Sequence, residues 1–142
     1  MLKGVPAVLT PDLLWALSAM GHGDTLAVVD ANYPAYALHS RVLPLAGVDI
    51  TDAFTAIGAV LPVDQAVEPA VFAMAPDGDP DAVIESHAAV GAVLSASEGR
   101  AVTIGPVERS DFYRQARDAF AVVLTGETRS YACFLLTKGV VV

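Results

Sequence analysis

Residues 20–36 read MGHGDTLAVVDANYPAY. At the centre, LAVVD (26–30) is a short run of β-favouring residues with no polar alternation before Asp30. A strand apolar on both sides has to be covered on both faces, as happens when a largely parallel sheet lies between helices. Before it, Gly21 and Gly23 flank His22 and free the backbone for a tight turn. After it, Asn32 and Pro34 supply turn chemistry behind Asp30. The stretch therefore reads as helix end, turn, buried strand and turn, which is the grammar of an α/β domain.

The flanking sequence extends that pattern. Thr10-Pro11-Asp12 reads as a helix start with Thr10 as N-cap. Leu13, Leu17 and Met20 recur at helical spacing, and Gly21 is placed to end the helix. RVLPL (41–45) predicts an edge or distorted strand because Pro44 lacks a donor. A second helix is predicted over 50–61, capped by Asp49 and Asp52, with Phe54, Ile57 and Leu61 inward and Pro62 as its stop. AVFAM (70–74) reads as a strand, and the turn cluster PDGDPD follows. Asp79-Pro80-Asp81 predicts the start of a helix whose Val83, His87, Val90 and Leu94 share a stripe. AVTIG (101–105) is a strand, Ser110 caps a short helix through Arg117, and AFAVVLTG (119–126) returns to strand character. TGETRS (125–130) is short enough for a hairpin, with YACFLL (131–136) and GVVV (139–142) as final strands. The expected architecture is one three-layer α/β/α domain over residues 1–142, with a mixed, largely parallel sheet.

Bulk properties narrow the function. The 142 residues are 54% hydrophobic and 17% charged, which suits a packed core rather than a disordered chain. Sixteen acidic against eight basic residues give a net charge of -8, which speaks against nucleic acid and anionic membranes as partners. The single cysteine, Cys133, permits no internal disulfide and fits a reducing compartment. Pro6, Pro11 and Asp12 interrupt any signal-peptide core, and no apolar run reaches transmembrane length, so a soluble, cytoplasmic protein is expected.

Few residues are placed to do chemistry. No nucleotide loop, zinc spacing or nucleophile elbow is present, so neither a cofactor nor a metal is expected. His22 sits in a glycine-relieved turn, and an imidazole titrates near neutrality, so it can exchange a proton at small cost. Asp24 is close enough in sequence to orient it. Asp30 ends a strand, where open α/β sheets bind ligands, and a carboxylate there accepts hydrogen bonds from hydroxyl groups. Arg109 follows a predicted strand and precedes a short helix that contains Tyr113, Tyr131 opens a predicted strand, and Tyr33 and Tyr36 lie in and after the Asp30 turn. Each has a structural alternative: a helix-ending turn for His22, an Asx turn for Asp30, packing for the tyrosines, solvation for Arg109. Cys133 lies in an apolar run and reads as a buried, inert thiol; His87 falls on an apolar stripe, and His39 has no supporting pattern.

Taken together and in order, LTPDLLWALSAMGHGD (9–24), VVDANYPA (28–35), GDPD (78–81) and FYRQARDAFAVVLTGETRSYACFLLTKG (112–139) resemble the RbsD/FucU family of sugar mutarotases, the fucose-type branch most closely. The resemblance implies an RbsD-like fold and a cofactor-independent isomerase that interconverts the anomers of a monosaccharide, L-fucose or a related sugar. D-ribose pyranase-type activity and non-catalytic sugar binding are the alternatives. It implies His22 as proton donor and Asp30, Arg109, Tyr131, Ala132 and Cys133 as sugar contacts, with Asp24 and Tyr113 in support. Where the family usually carries an asparagine amide, this chain has Cys133, and the turn after Asp30 is altered at Asn32 and Tyr36. Ring-shaped homo-oligomers, decamers among them, with active sites at subunit contacts are implied as well.

Overall fold

The computed structural model describes all residues from 1 to 142. Its helices are α1 (Pro11–Ala19), α2 (Ala35–Leu38), α3 (Ile50–Gly58), α4 (Glu85–Glu98) and α5 (Arg109–Ala116). The strands are β1 (Thr25–Val29), β2 (Val42–Leu45), β3 (Val71–Met74), β4 (Ile104–Val107), β5 (Ala121–Thr125) and β6 (Phe134–Thr137). They form one six-stranded sheet in the order β2-β5-β1-β6-β3-β4. Three pairings are parallel, β1–β5, β2–β5 and β3–β4, while β6 runs antiparallel between β1 and β3.

Alternation along the central strands explains the three layers. Leu26 and Val28 of β1 face a 27-residue core beneath α1, α3 and α4, whereas Ala27 and Val29 face an 11-residue core beneath α2 and α5. In β6, Phe134 and Leu136 enter the larger core, while Leu135, and Cys133 just before the strand, enter the smaller. Phe134 meets Phe54 of α3 edge to face at 5.1 Å and His87 of α4 at 5.4 Å. Complete burial of such a ring contributes about 1.5–3 kcal/mol. Pro44 is exposed on β2, at the sheet edge where a missing donor costs no ladder bond.

Local capping sets the helix starts. Thr10 Oγ1 accepts from the Leu13 amide with Pro11 in the first turn, and Asp49 Oδ1 accepts from the Asp52 amide at the start of α3. Other expectations are corrected. α1 ends with Met20 as C-cap in a negative-φ conformation, and the left-handed residue of the turn is Gly23, not Gly21. α3 stops at Gly58 rather than Leu61. α4 begins at Glu85, because Asp79-Pro80-Asp81 is spent on a turn, and Val83 is left almost fully exposed. α5 begins at Arg109 after Glu108, so Ser110 is inside the helix rather than its cap. The TGETRS segment makes no hairpin: β1 lies between β5 and β6. Residues 139–142 form no strand. No helix is long and apolar enough to cross a membrane.

Candidate functional site

The antiparallel course of β6 decides what can meet. Its first residues lie beside the last residues of β1 and β3, with Phe134 opposite both Val28 and Ala73. One end of the sheet therefore gathers the residues after β1, β3 and β4 together with those before β6. A pocket of about 280 Å³ opens there. β1 and its turn supply Asp30, Asn32 and Tyr33; β3 supplies Met74; α5 supplies Arg109 and Tyr113; the segment before β6 supplies Ser130, Tyr131 and Cys133. This volume is at the small end for ligand pockets, roughly 300–1,000 Å³, and suits a small polar molecule. A larger cleft of about 380 Å³ beside α4 and β4 has only His87 and Asp81 as titratable side chains. The polar groups that can recognise hydroxyls converge in the smaller one.

Within this pocket Asp30 is buried, with Oδ1 accepting from the Asn32 amide at 3.0 Å. Its Oδ2 accepts a weak hydrogen bond from Cys133 Sγ at 3.4 Å. Burial and the neighbouring Asp30 charge push the Cys133 thiol well up, so it stays a protonated donor. Tyr113 stacks on Tyr33 at 5.2 Å, and the Tyr33 hydroxyl pairs with His39 Nε2 at 2.8 Å. Burial raises the Tyr33 phenol and lowers His39, so both are held neutral. Arg109 lies 5.7 Å above the Tyr113 ring and 3.8 Å from Asp77, with more than half of its side chain exposed. An ion pair so exposed holds the arginine weakly and leaves it free to swing onto a ligand.

The loop that carries Tyr131 is braced from below. Glu127 is buried, and Arg129 grips it with Nε on Oε1 and Nη2 on Oε2, both at 3.0 Å. Glu127 Oε2 also accepts from the Ile50 amide, and its carbonyl accepts from Ala31, directly after Asp30. The Arg129 hydrogen bonds hold the Glu127 carboxyl down at about 2 despite burial. Tyr131 itself adopts φ 62°, the only non-glycine residue with positive φ. Its carbonyl accepts from His87 Nε2 at 2.7 Å, which fixes the strained residue to α4. Because a carbonyl only accepts, Nε2 carries the His87 proton, and burial lowers this imidazole.

His22 and Asp24 are not part of this pocket. They precede β1, whereas Asp30 follows it; five strand residues lie between, a separation on the order of 16 Å at strand rise. Asp24 does not orient His22 either, since its Oδ2 accepts from the Gly21 amide at 2.7 Å. The carboxylate that meets His22 is Asp64, whose Oδ1 lies 3.1 Å from Nε2. Ala132 also departs from expectation. It is fully buried in the larger core and presents no surface to a ligand. Tyr36 is exposed outside the pocket.

Asp30, Arg109, Tyr113, Tyr131 and Cys133 are thus brought together, and His22 stands apart. Asp64, Glu127 and His87 each bond a residue distant in sequence, a contact that local spacing does not disclose. Asp64 is 42 residues from its histidine, and neither Glu127 nor His87 lies within a motif that names its partner. No group of three or more His, Cys, Asp or Glu side chains converges as a metal site would require.

Similarity to known proteins extends over the whole chain. The model of the RbsD / FucU transport protein family matches residues 3–141. An L-fucose mutarotase of Glaesserella parasuis serovar 5 (strain SH0165) is 39% identical over 142 residues, covering 99% of this chain and 96% of its own length. The crystal structure of FucU from Bifidobacterium longum superposes with a TM-score of 0.92 at 32% identity, over 99% of this chain and 100% of that one. The fucose mutarotase of Streptococcus pneumoniae, solved in complex with L-fucose, gives 0.89 at 34% identity over 99% and 100%.

Proposed function

The chain belongs to the RbsD/FucU family, and from that membership we propose that it is a mutarotase exchanging the α and β anomers of L-fucose or a closely related monosaccharide. The observation that carries this reading is the convergence of a buried carboxylate, a loosely held guanidinium and three tyrosines on one small pocket. Asp30 and Tyr131 are suited to accept and donate hydrogen bonds to sugar hydroxyls, and Tyr113 offers a flat apolar face beneath Arg109.

Anomer exchange asks for modest chemistry. A proton is delivered to the ring oxygen as the C1 hydroxyl proton is removed; the C1–O5 bond breaks and the aldehyde forms. Rotation about C1–C2 and the reverse transfers close the ring on the other face. One acid and one base near neutral pKa carry both halves. His22 is the acid. Since it sits at the opposite end of β1 from Asp30, the acid reaching one pocket comes from a second copy of the chain, in a ring-forming homo-oligomer. An apolar-rich chain that leaves Trp15, Tyr36 and Leu38 exposed is consistent with such assembly.

Saturation-transfer NMR of anomer exchange tests the reading. The protein is expected to accelerate exchange of L-fucose, and His22→Ala, still folded and assembled, to lose that acceleration. Sugar binding without faster exchange would replace the mutarotase reading by one of a sugar-binding protein. Faster exchange of D-ribose than of L-fucose would move it to the pyranase type.

A further inference from the structure

Outside the pocket, one carboxylate, that of Asp64, contacts His22 directly. We infer that Asp64 is the positioning residue of His22: it holds Nε2–H, selects that tautomer, and leaves Nδ1 as the nitrogen that exchanges the proton with the sugar. The inference rests on the proposed role of His22 as the acid.

Three observations support it. The contact is direct, with Asp64 Oδ1 3.1 Å from Nε2 and also receiving the Ala66 amide at 3.0 Å. The partners differ in freedom: the His22 side chain is 50% exposed on its glycine turn, and that of Asp64 is 6% exposed. Asp64 is also anchored to the frame of the fold. Its amide donates to Thr137 of β6 at 3.0 Å, and Arg100 Nη2 donates to the carbonyls of Val63 and Asp64. The Val63 amide donates to Glu98 Oε1 at 2.8 Å, tying the same loop to α4. Gly139 packs so closely that a Cβ there would stand 2.8 Å from Asp64 Cα. The rigid carboxylate therefore orients the looser imidazole, not the reverse.

The protonation pattern follows from the donor inventory. The Ala66 amide, aided by His22 and opposed by burial, holds the Asp64 carboxyl below the usual range, so it is ionised and only accepts. Nε2 must then be the donor. The other charged groups nearby are committed elsewhere. Asp24 receives the Gly21 amide, and Lys138 Nζ donates to the carbonyls of Leu17 and Met20. Arg100 is taken by backbone carbonyls, and Glu98 by the Val63 amide. In the reaction the imidazolium gives up its Nδ1 proton to the ring oxygen and becomes the neutral Nε2–H imidazole. Reclosure of the ring returns a proton to Nδ1, and the Asp64 bond persists throughout.

Asp64→Ala and the isosteric Asp64→Asn separate the outcomes, with anomer exchange and ¹⁵N shifts of the His22 ring as readouts in the assembled protein. Asp64→Ala is expected to slow exchange on the order of 10–100-fold through kcat, with KM little changed. Its neutral His22 ring should become a mixture of tautomers. Asp64→Asn keeps an acceptor oxygen, so it should keep the Nε2–H tautomer and part of the rate. In the His22→Ala background, Asp64→Asn should add no further loss. Exchange within twofold of wild type in both Asp64 variants, with His22→Ala inactive, would overturn this inference alone. A Nδ1–H tautomer in the wild type would overturn it too. Full activity of His22→Ala would instead overturn the reading beneath it.

Discussion

Glu127 offers a prediction whose sign and size follow from the geometry. Replacing it by Gln keeps the shape and removes the charge that Arg129 grips through two hydrogen bonds. The carboxyl falls from an unfolded value of 4.5 to about 2 in the fold. At about 1.4 kcal/mol per unit, this gap sets a ceiling of about 3.4 kcal/mol on the stability linked to ionisation. Arg129 is 44% exposed, so solvent screening reduces the contribution to roughly 1.5–2 kcal/mol. A depressed carboxyl contributes above its unfolded value and loses the contribution as pH falls toward its folded value. Glu127→Gln should therefore unfold at lower urea than wild type at pH 7, by that amount. The gap should narrow below pH 4.5 and nearly close by pH 2, where the wild-type carboxyl is fully protonated in the unfolded chain and half protonated in the fold. Urea titrations followed by circular dichroism, at one protein concentration because an assembly is expected, would measure it. Parallel pH profiles for the two proteins would refute the reasoning, because every other carboxylate cancels in the difference.

Cys133 and Tyr131 test the pocket itself. Cys133→Ser keeps a donor toward Asp30 Oδ2 and should leave sugar affinity within about threefold; Cys133→Ala should weaken it roughly 5–10-fold, read as KM in the exchange assay. Equal behaviour of the two would show that the thiol donor is idle. Tyr131→Gly and Tyr131→Ala both remove the ring, but glycine alone accepts φ 62° freely, so the glycine variant should be the more stable of the pair by about 1 kcal/mol in urea titration. An alanine variant of equal or greater stability would show that the left-handed residue carries no strain.

Much of the scaffold was legible because its signals are local. LAVVD is apolar on both faces, so β1 had to be covered twice, and the two cores confirm it. Thr10 and Asp49 cap through bonds only three residues long. The strand order was not legible. β6 returns between β1 and β3, and nothing in TGETRS distinguishes a hairpin from a crossover. Asp79-Pro80-Asp81 carries the letters of a helix start, yet the chain turns there and α4 opens at Glu85 with no side-chain cap. The same limit governs the site. Asp30 showed itself as a carboxylate at a strand end, whereas Asp64 could not, since sequence proximity favoured Asp24. Ala132 was carried along with its neighbours, but alternation before β6 turns it into the larger core while Cys133 faces the smaller.

β1 and β6 together have a consequence for how this protein can change. They run side by side from the Asp30 pocket to the turn that bears His22, and no side chain of the first group lines or bonds to the second. Stability effects of substitutions at sites so far apart, with no shared partners, are additive to within about 0.5 kcal/mol. The pocket residues and those around His22 are thus thermodynamically independent within one subunit. Substitutions in the pocket, at Cys133 for example, can therefore accumulate without a compensating change in stability around Asp64.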